Sequence, residues 1–266
     1  MLLDIVGIAL CAVIAGANTW EEVATFGRCR RDWLKTFLAL PNGVPAHDTF
    51  ERVFAALNPQ TFQLCFQRWM QAVCSALGLK QIAIDGKTLR GSGAPASGLG
   101  PLHLVSAWAT HNHLSLGQVA VDSKSNEITA IPELLKLLDL HGALVTIDAM
   151  GCQKKIAREI VDGGGDYLLV VKDNQENLRH DIQETFSLAF ESEVVDLALH
   201  TYETIEKGHG REEHRCYTVL HDVAGIRNQE AWAKLSTIGM CTNIRTVNGE
   251  TSEEVHYFIS SRRTSA

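Results

Sequence analysis

Apolar residues in the first 78 positions recur at helical steps, and after position 80 they change to short continuous runs separated by helical segments. Met1 to Ala17 is strongly apolar and reads as a buried helix. No Lys or Arg precedes that run, Asp4 interrupts it, and it is shorter than a membrane span, so neither a signal peptide nor a membrane anchor is expected. Asn18 with Glu21, and Asp48 with Glu51, have capping-box spacing ahead of apolar helical patterns. Asn58-Pro59 is an N-cap and first-turn pair. Phe62, Cys65, Phe66, Trp69, Met70, Val73 and Leu77 then form one stripe, read as core. Pro41-Asn42-Gly43 separates two helices. The expectation is a helical domain over residues 1–78.

From Gln81 onward the pattern alternates between strand and helix. Ile82-Ala83-Ile84 is an apolar run ending in Asp85-Gly86. His103 to Thr110 and Leu116 to Val121 read as two further strands, joined by a polar turn through His111, Asn112 and His113. Ile131 to Leu140 has a helical leucine pattern. Leu144 to Ile147 is a strand ending in Asp148, and Lys154 to Val161 is a helix stopped by Gly163-Gly164-Gly165. Tyr167 to Val171 is a fully apolar strand followed by Lys172-Asp173-Asn174. Strands flanked by helices and apolar throughout are buried on both faces of a mixed sheet, so the fold class is α/β. After about Glu193 the chain reads as polar β, with runs at Cys216 to Leu220, Ile238 to Ile244 and Val255 to Ile259.

The composition narrows the class. With 45% hydrophobic residues in 266, the chain fills a real core and is not disordered. Seven scattered cysteines without a C-x-x-C pair suit neither structural zinc nor a secreted disulfide framework. Buried reduced thiols in a cytosolic protein are the reading. Taken as a whole, the net charge of -7 argues against a nucleic-acid partner. Its distribution changes that: residues 1–80 hold seven basic and six acidic groups, residues 81–180 nine and eleven, and residues 181–266 eight and fourteen. Basic clusters stand at Arg28, Arg30, Arg31 and Lys35, and at Lys154, Lys155 and Arg158, each of which also reads as a solvated helix face.

Chemistry concentrates at the strand ends. Asp85 and Asp148 each follow an apolar strand, and in α/β sheets functional groups gather beyond the carboxyl ends of strands. If those strands are parallel neighbours, the two carboxylates converge. Hard oxygen donors then favour Mg²⁺ or Mn²⁺, and two such ions roughly 4 Å apart serve phosphodiester transfer. The bland alternative is an Asp-Gly turn at Asp85 and a helix cap at Asp148. Lys87, Lys172 and Asn174 lie on the same rim, as phosphate contacts or as ordinary loop residues. His111 and His113 have metal-like spacing but no third ligand, and read as surface residues.

The segments GVPAHDTFERVFAALNP (43–59), AIDGKTLRGS (83–92), KSNEITAIPELL (124–135), TIDAMGCQKKIAREIVDGGGDYLLVVKDNQ (146–175) and KGHGREEHRCY (207–217) resemble the H-repeat-associated insertion-sequence transposases of the DDE superfamily. The resemblance runs in order through nearly the whole chain. It implies an RNase H-like mixed sheet with flanking helices over residues 79–266, a transposase-associated helical domain before it, and a β-rich insertion over about 194–266. It implies Asp85 and Asp148 as the first and second acids of a triad holding Mg²⁺ or Mn²⁺. The implied activity is DNA strand cleavage and transfer, with transposon ends and target DNA as partners and a second copy or full-length transposase as a protein partner. His209, Gly210, Arg211 and Arg215 fall in the insertion as DNA-facing residues, with a tight solvent turn stabilised by Glu212 and Glu213 as the competing reading.

The family's third acid is expected on a helix with a His-Trp…Glu-Asn pattern after the strand ending at Ile259, and that pattern is not found before Ala266. The expectation is therefore a truncated transposase with two of three acids, inactive alone. The alternative is a non-catalytic DNA-binding remnant that interferes with full-length transposase. An ordinary metal-dependent phosphatase fits the paired aspartates but not the central segment. DNA contacts are expected from Arg28, Arg30 and Arg31, and from Lys87, Lys172, Asn174 and Arg211.

Overall fold

A computed structural model describes residues 1–77, 81–89, 92, 101–111, 113–121, 127–191, 199–208, 210–247 and 249–264, without the side chains of 71 and 74–77. The chain divides into two compact units, Met1–Cys65 and Phe66–Ala266.

The first unit is helical. It holds α1 (Leu2–Ile14), α2 (Trp20–Cys29), the single turn α3 (Arg31–Leu34), α4 (His47–Ala56) and the start of α5 (Pro59–Leu77). Its core is Ile8, Ala9, Ala12, Val23, Ala24, Leu34, Leu38, Leu40 and Phe50, contributed by α1 to α4 and by the segment after α3. Trp20 closes it, 4.9 Å from Phe54 between ring centroids. α1 forms as expected, but only its middle is buried, with Leu3 and Ile14 exposed. No helix among the described residues is long and apolar enough to cross a membrane.

The caps differ in detail from the spacing argument. Thr19, in extended backbone, caps α2, and the reciprocal partner is Glu22: its amide donates to Thr19 Oγ1 while its carboxylate accepts from the Thr19 amide. Asp48 lies inside the first turn of α4, where Ala46 takes the cap position without a side-chain bond. Asn58 does cap α5, accepting from the Thr61 amide at 2.9 Å. On the α5 stripe Met70 is buried, whereas Cys65 and Trp69 point outward. The thiols are likewise mixed: Cys152 and Cys241 are buried, but Cys29 and Cys65 are exposed.

The second unit is a nine-stranded mixed sheet in the order β3-β2-β1-β4-β5-β9-β8-β7-β6. Its strands are β1 (Gln81–Thr88), β2 (His103–Ala109), β3 (Leu114–Val121), β4 (Leu144–Ile147), β5 (Asp166–Val171), β6 (His200–Gly208), β7 (Arg211–Leu220), β8 (Thr237–Val247) and β9 (Glu250–Ser260). β1, β2 and β3 form an antiparallel meander, β4 and β5 run parallel to β1, and β9 joins β5 antiparallel. Three helices, α6 (Glu127–Leu135), α7 (Lys154–Asp162) and α8 (Glu176–Glu191), alternate with the parallel strands.

One sheet face is fully packed. Ile82, Ile84, Val145, Ile147, Tyr167, Leu169 and Ile259 share a core with Ile131, Leu134, Ile156, Ile160, Ile182 and Phe186 of the helices. Side chains alternate along a strand, so Ala83, Asp85, Lys87, Thr146, Leu168, Val170 and Phe258 fall on the other face. That face is half-buried in its apolar positions, and Trp108 upon it is 42% exposed.

Two elements depart from the periodicity. The leucine-patterned helix runs over Glu127–Leu135, about a turn earlier than expected, with Pro132 inside it. Beyond Leu135 only tight turns follow, so the apolar pattern outlasts the helix and Leu140 is buried from an irregular segment. β1 does not stop at Asp85 in a turn but continues to Thr88, paired throughout with β2.

Candidate functional site

The parallel register of β1 and β4 pairs Ile84 with Ile147, so the next residues, Asp85 and Asp148, stand side by side. Neighbouring strands are about 4.8 Å apart, close enough for two carboxylates to share one cation. Both aspartates are exposed. Among the described residues no hydrogen bond or ion pair engages the Asp85 carboxylate; across β2 it faces Ser106. Asp148 caps a 3-10 turn over Ala149–Gly151, Oδ1 accepting from the Met150 amide at 3.2 Å. Capping thus occupies one oxygen of Asp148 and leaves the other for a ligand.

The turn after Asp148 is fixed from β5. The Asn174 amide donates to the Ala149 carbonyl at 2.7 Å, and the Gln175 amide to the Cys152 carbonyl at 2.9 Å. Gly151 completes it, because a Cβ there would lie 2.2 Å from Ile147 Cγ2. The Asn174 side chain thus engages the turn that follows Asp148, and the residue is exposed at the rim. Lys87, two positions past Asp85, and Lys172, two past Val170, are exposed on the carboxylate face. Lys154 lies 5.9 Å above the Trp232 ring and Lys155 is 3.9 Å from Glu159, next to a cleft of about 510 Å³ that Gln153 and Gln175 also line.

Other expected residues are elsewhere. Arg211 is on β7, four strands from β4, where Glu213 receives Arg211, Arg215 and Arg245 together. Glu213 is 6% exposed, so these arginines neutralise a buried carboxylate, while Glu212 pairs with Lys207 at 3.0 Å. His209 and Asn112 lie outside the described residues; Gly210 forms the β6–β7 turn with φ +75°. Arg28, Arg30 and Arg31 are exposed in the first unit, Arg28 donating to Thr25 Oγ1 at 3.0 Å. His180, Asp181 and Glu184 on α8 gather closely enough to hold a cation, but Asp181 is taken by Arg227.

The sequence reading missed a group behind β1. Thr88, His103 and Glu127 form a hydrogen-bonded chain at its carboxyl end. Glu127 is 24 residues from His103, and no local spacing signals the contact.

These elements correspond to a known class. The family described as "Transposase DDE domain" matches residues 77–249, and its "DDE_Tnp_1-associated" companion matches residues 1–70. The chain belongs to the DDE transposases. Within that class it is similar to the H repeat-associated putative transposase YhhI of Escherichia coli K12, 41% identical over 98% of this chain and 69% of the relative. It is 43% identical to an uncharacterised protein in the dhlA 3′ region of Xanthobacter autotrophicus, over 98% of this chain and 87% of the relative. The H repeat-associated putative transposase YbfD of Escherichia coli K12 is 44% identical over 82% of this chain and 85% of its own length.

Proposed function

We propose that this chain carries part of the site that cuts and joins DNA strands at the ends of an insertion sequence, with Asp85 and Asp148, two acids of the expected triad, holding Mg²⁺ or Mn²⁺. The observation that carries the reading is the register: Ile84 opposite Ile147 in parallel strands, each followed by an exposed aspartate. Two like charges so close repel unless a cation neutralises them, and the donor set is all oxygen, which suits these ions. The strand order β3-β2-β1-β4-β5, an antiparallel meander extended by two parallel strands, supports an RNase H-like core.

Bound there, the ion supplies Lewis acidity and charge neutralisation to a phosphoryl oxygen. The chain's own residues do the positioning. Asp148 is aimed by its turn, which Asn174 and Gln175 hold against β5. Lys87 and Lys172 flank the pair on the same face and meet backbone phosphates as point charges.

The test is thermal unfolding with and without Mn²⁺. At a concentration 100 times its dissociation constant the ion should add about 2.7 kcal/mol of stability to the wild type. Asp85→Asn and Asp148→Asn should each abolish the gain. Without metal both variants should be at least as stable as the wild type, because each removes a repulsion. Equal Mn²⁺ responses in all three proteins would refute the site.

A further inference from the structure

β1 is an overhang at its carboxyl end. Residues 82–84 are paired on both sides, with β2 and β4, but Asp85 to Thr88 pair with β2 alone because β4 ends at Ile147. Asp85 thus sits on the first residue of a half-supported segment, beside a like charge that pushes against it. Something must hold that segment in register.

The group behind it does. His103 pairs with Thr88 across the β1–β2 ladder, and its Nδ1 lies 2.7 Å from Thr88 Oγ1. Its Nε2 lies 2.5 Å from Glu127 Oε1, at the start of α6. An ionised carboxylate only accepts, so the Nε2–H donates to Glu127 and Nδ1 is left to hydrogen-bond the Thr88 hydroxyl, which can donate or accept. The Glu127 side chain is 15% exposed and rests against Gly86, the residue after Asp85, where a Cβ would come 2.1 Å from Oε1. Strand alternation puts Gly86 on the face opposite Asp85. The chain therefore grips the back of β1 one residue beyond the carboxylate.

We propose that Thr88, His103 and Glu127 are positioning residues: they hold the overhanging end of β1 so that Asp85 stays level with Asp148 and both reach one cation. The proposal rests on the reading of those two aspartates as a metal pair. An apolar residue at position 127 would pack α6 on the sheet, but only a side chain of this length with an oxygen acceptor ties the helix to β2 and covers Gly86 together. A carboxylate kept nearly out of water needs such a partner.

The experiment uses the whole chain and two readouts. In metal-free protein, Glu127→Ala should speed amide hydrogen exchange at Asp85 to Thr88 about tenfold and leave β5 amides unchanged, a local opening rather than a general loosening. It should also weaken Mn²⁺ binding by about tenfold, the lower end of what outer-shell partners cost. Glu127→Gln, whose amide oxygen still accepts from His103, should restore both. Gly86→Ala should mimic Glu127→Ala, because the new methyl displaces the carboxylate. Added to Glu127→Ala it should cost nothing more, the two changes acting through one contact. Unchanged exchange in Glu127→Ala, additive effects in the double variant, or a Glu127→Gln protein as impaired as Glu127→Ala would overturn the proposal. Absence of Mn²⁺ binding in the wild type would refute the metal pair instead, while the exchange measurements would still decide whether this grip exists.

Discussion

Replacing Arg28, Arg30 and Arg31 together by alanine should cut DNA affinity several hundredfold at about 0.1 M salt. Three phosphate contacts contribute a slope of about 0.9 each to the fall of log affinity with log salt, or roughly 2.7 decades per decade of salt. The motivation is local. The three guanidiniums lie within four positions at the α2–α3 junction, all are exposed, and among the described residues none has an ion pair. Five arginines of the second unit are engaged instead: Arg211, Arg215 and Arg245 on Glu213, Arg227 on Asp181 and Arg179 on Asp173. The charge of the exposed trio stays available to an outside anion, with Arg28 sharing one donor with Thr25. Filter binding over a salt series measures the slope. A triple variant with an unchanged slope would move the DNA contacts to the rim around Lys87 and Lys172.

Asp181→Ala should cost about 3 kcal/mol of stability at neutral pH, near the lower bound for breaking a buried pair because Arg227 can regain water. Asp181 is 4% exposed on α8 and accepts from the Arg227 amide at 2.9 Å and from its Nε at 2.7 Å. The pair pins the segment after β7 onto the helix. Burial alone would raise the Asp181 pKa, but the Arg227 side-chain bond, its backbone amide and its charge together hold it below the ordinary carboxylate value. The folded pKa is depressed, so the stabilisation is present above the unfolded carboxylate range and is lost as pH falls through the lower folded value. Urea unfolding should show the gap between Asp181→Asn and wild type narrowing from pH 7 to pH 3. A gap independent of pH would mean that the carboxylate's charge contributes nothing.

Parts of the site were legible in the sequence because they depend on local pattern. β4 and β5, packed on one face and half-buried on the other, are apolar at nearly every position, which is why they were visible as Leu144 to Ile147 and Tyr167 to Val171. Two such runs each ending in aspartate marked Asp85 and Asp148 before any pairing was known. Asn58 ahead of Pro59 likewise foretold the start of α5, since a cap is made within one turn.

What depends on contacts across the chain was not legible. Whether β1 and β4 are parallel neighbours is a matter of topology, and only the sheet brings Asp85 level with Asp148. β6 escaped notice because it is an edge strand exposed at nearly every position, so no apolar alternation marks it. The polar strands β7, β8 and β9 extend well past their apolar segments, held by ladder bonds that any residue with a backbone amide can make. Asn174 suited phosphate or loop equally, and no local pattern announced its bond to Ala149. The ties from His103 to Thr88 and Glu127, and from Asp181 to Arg227, join residues 15, 24 and 46 positions apart. Local periodicity records which side of an element is apolar. Which polar group meets which is settled when the elements pack and each buried donor or acceptor must find a partner.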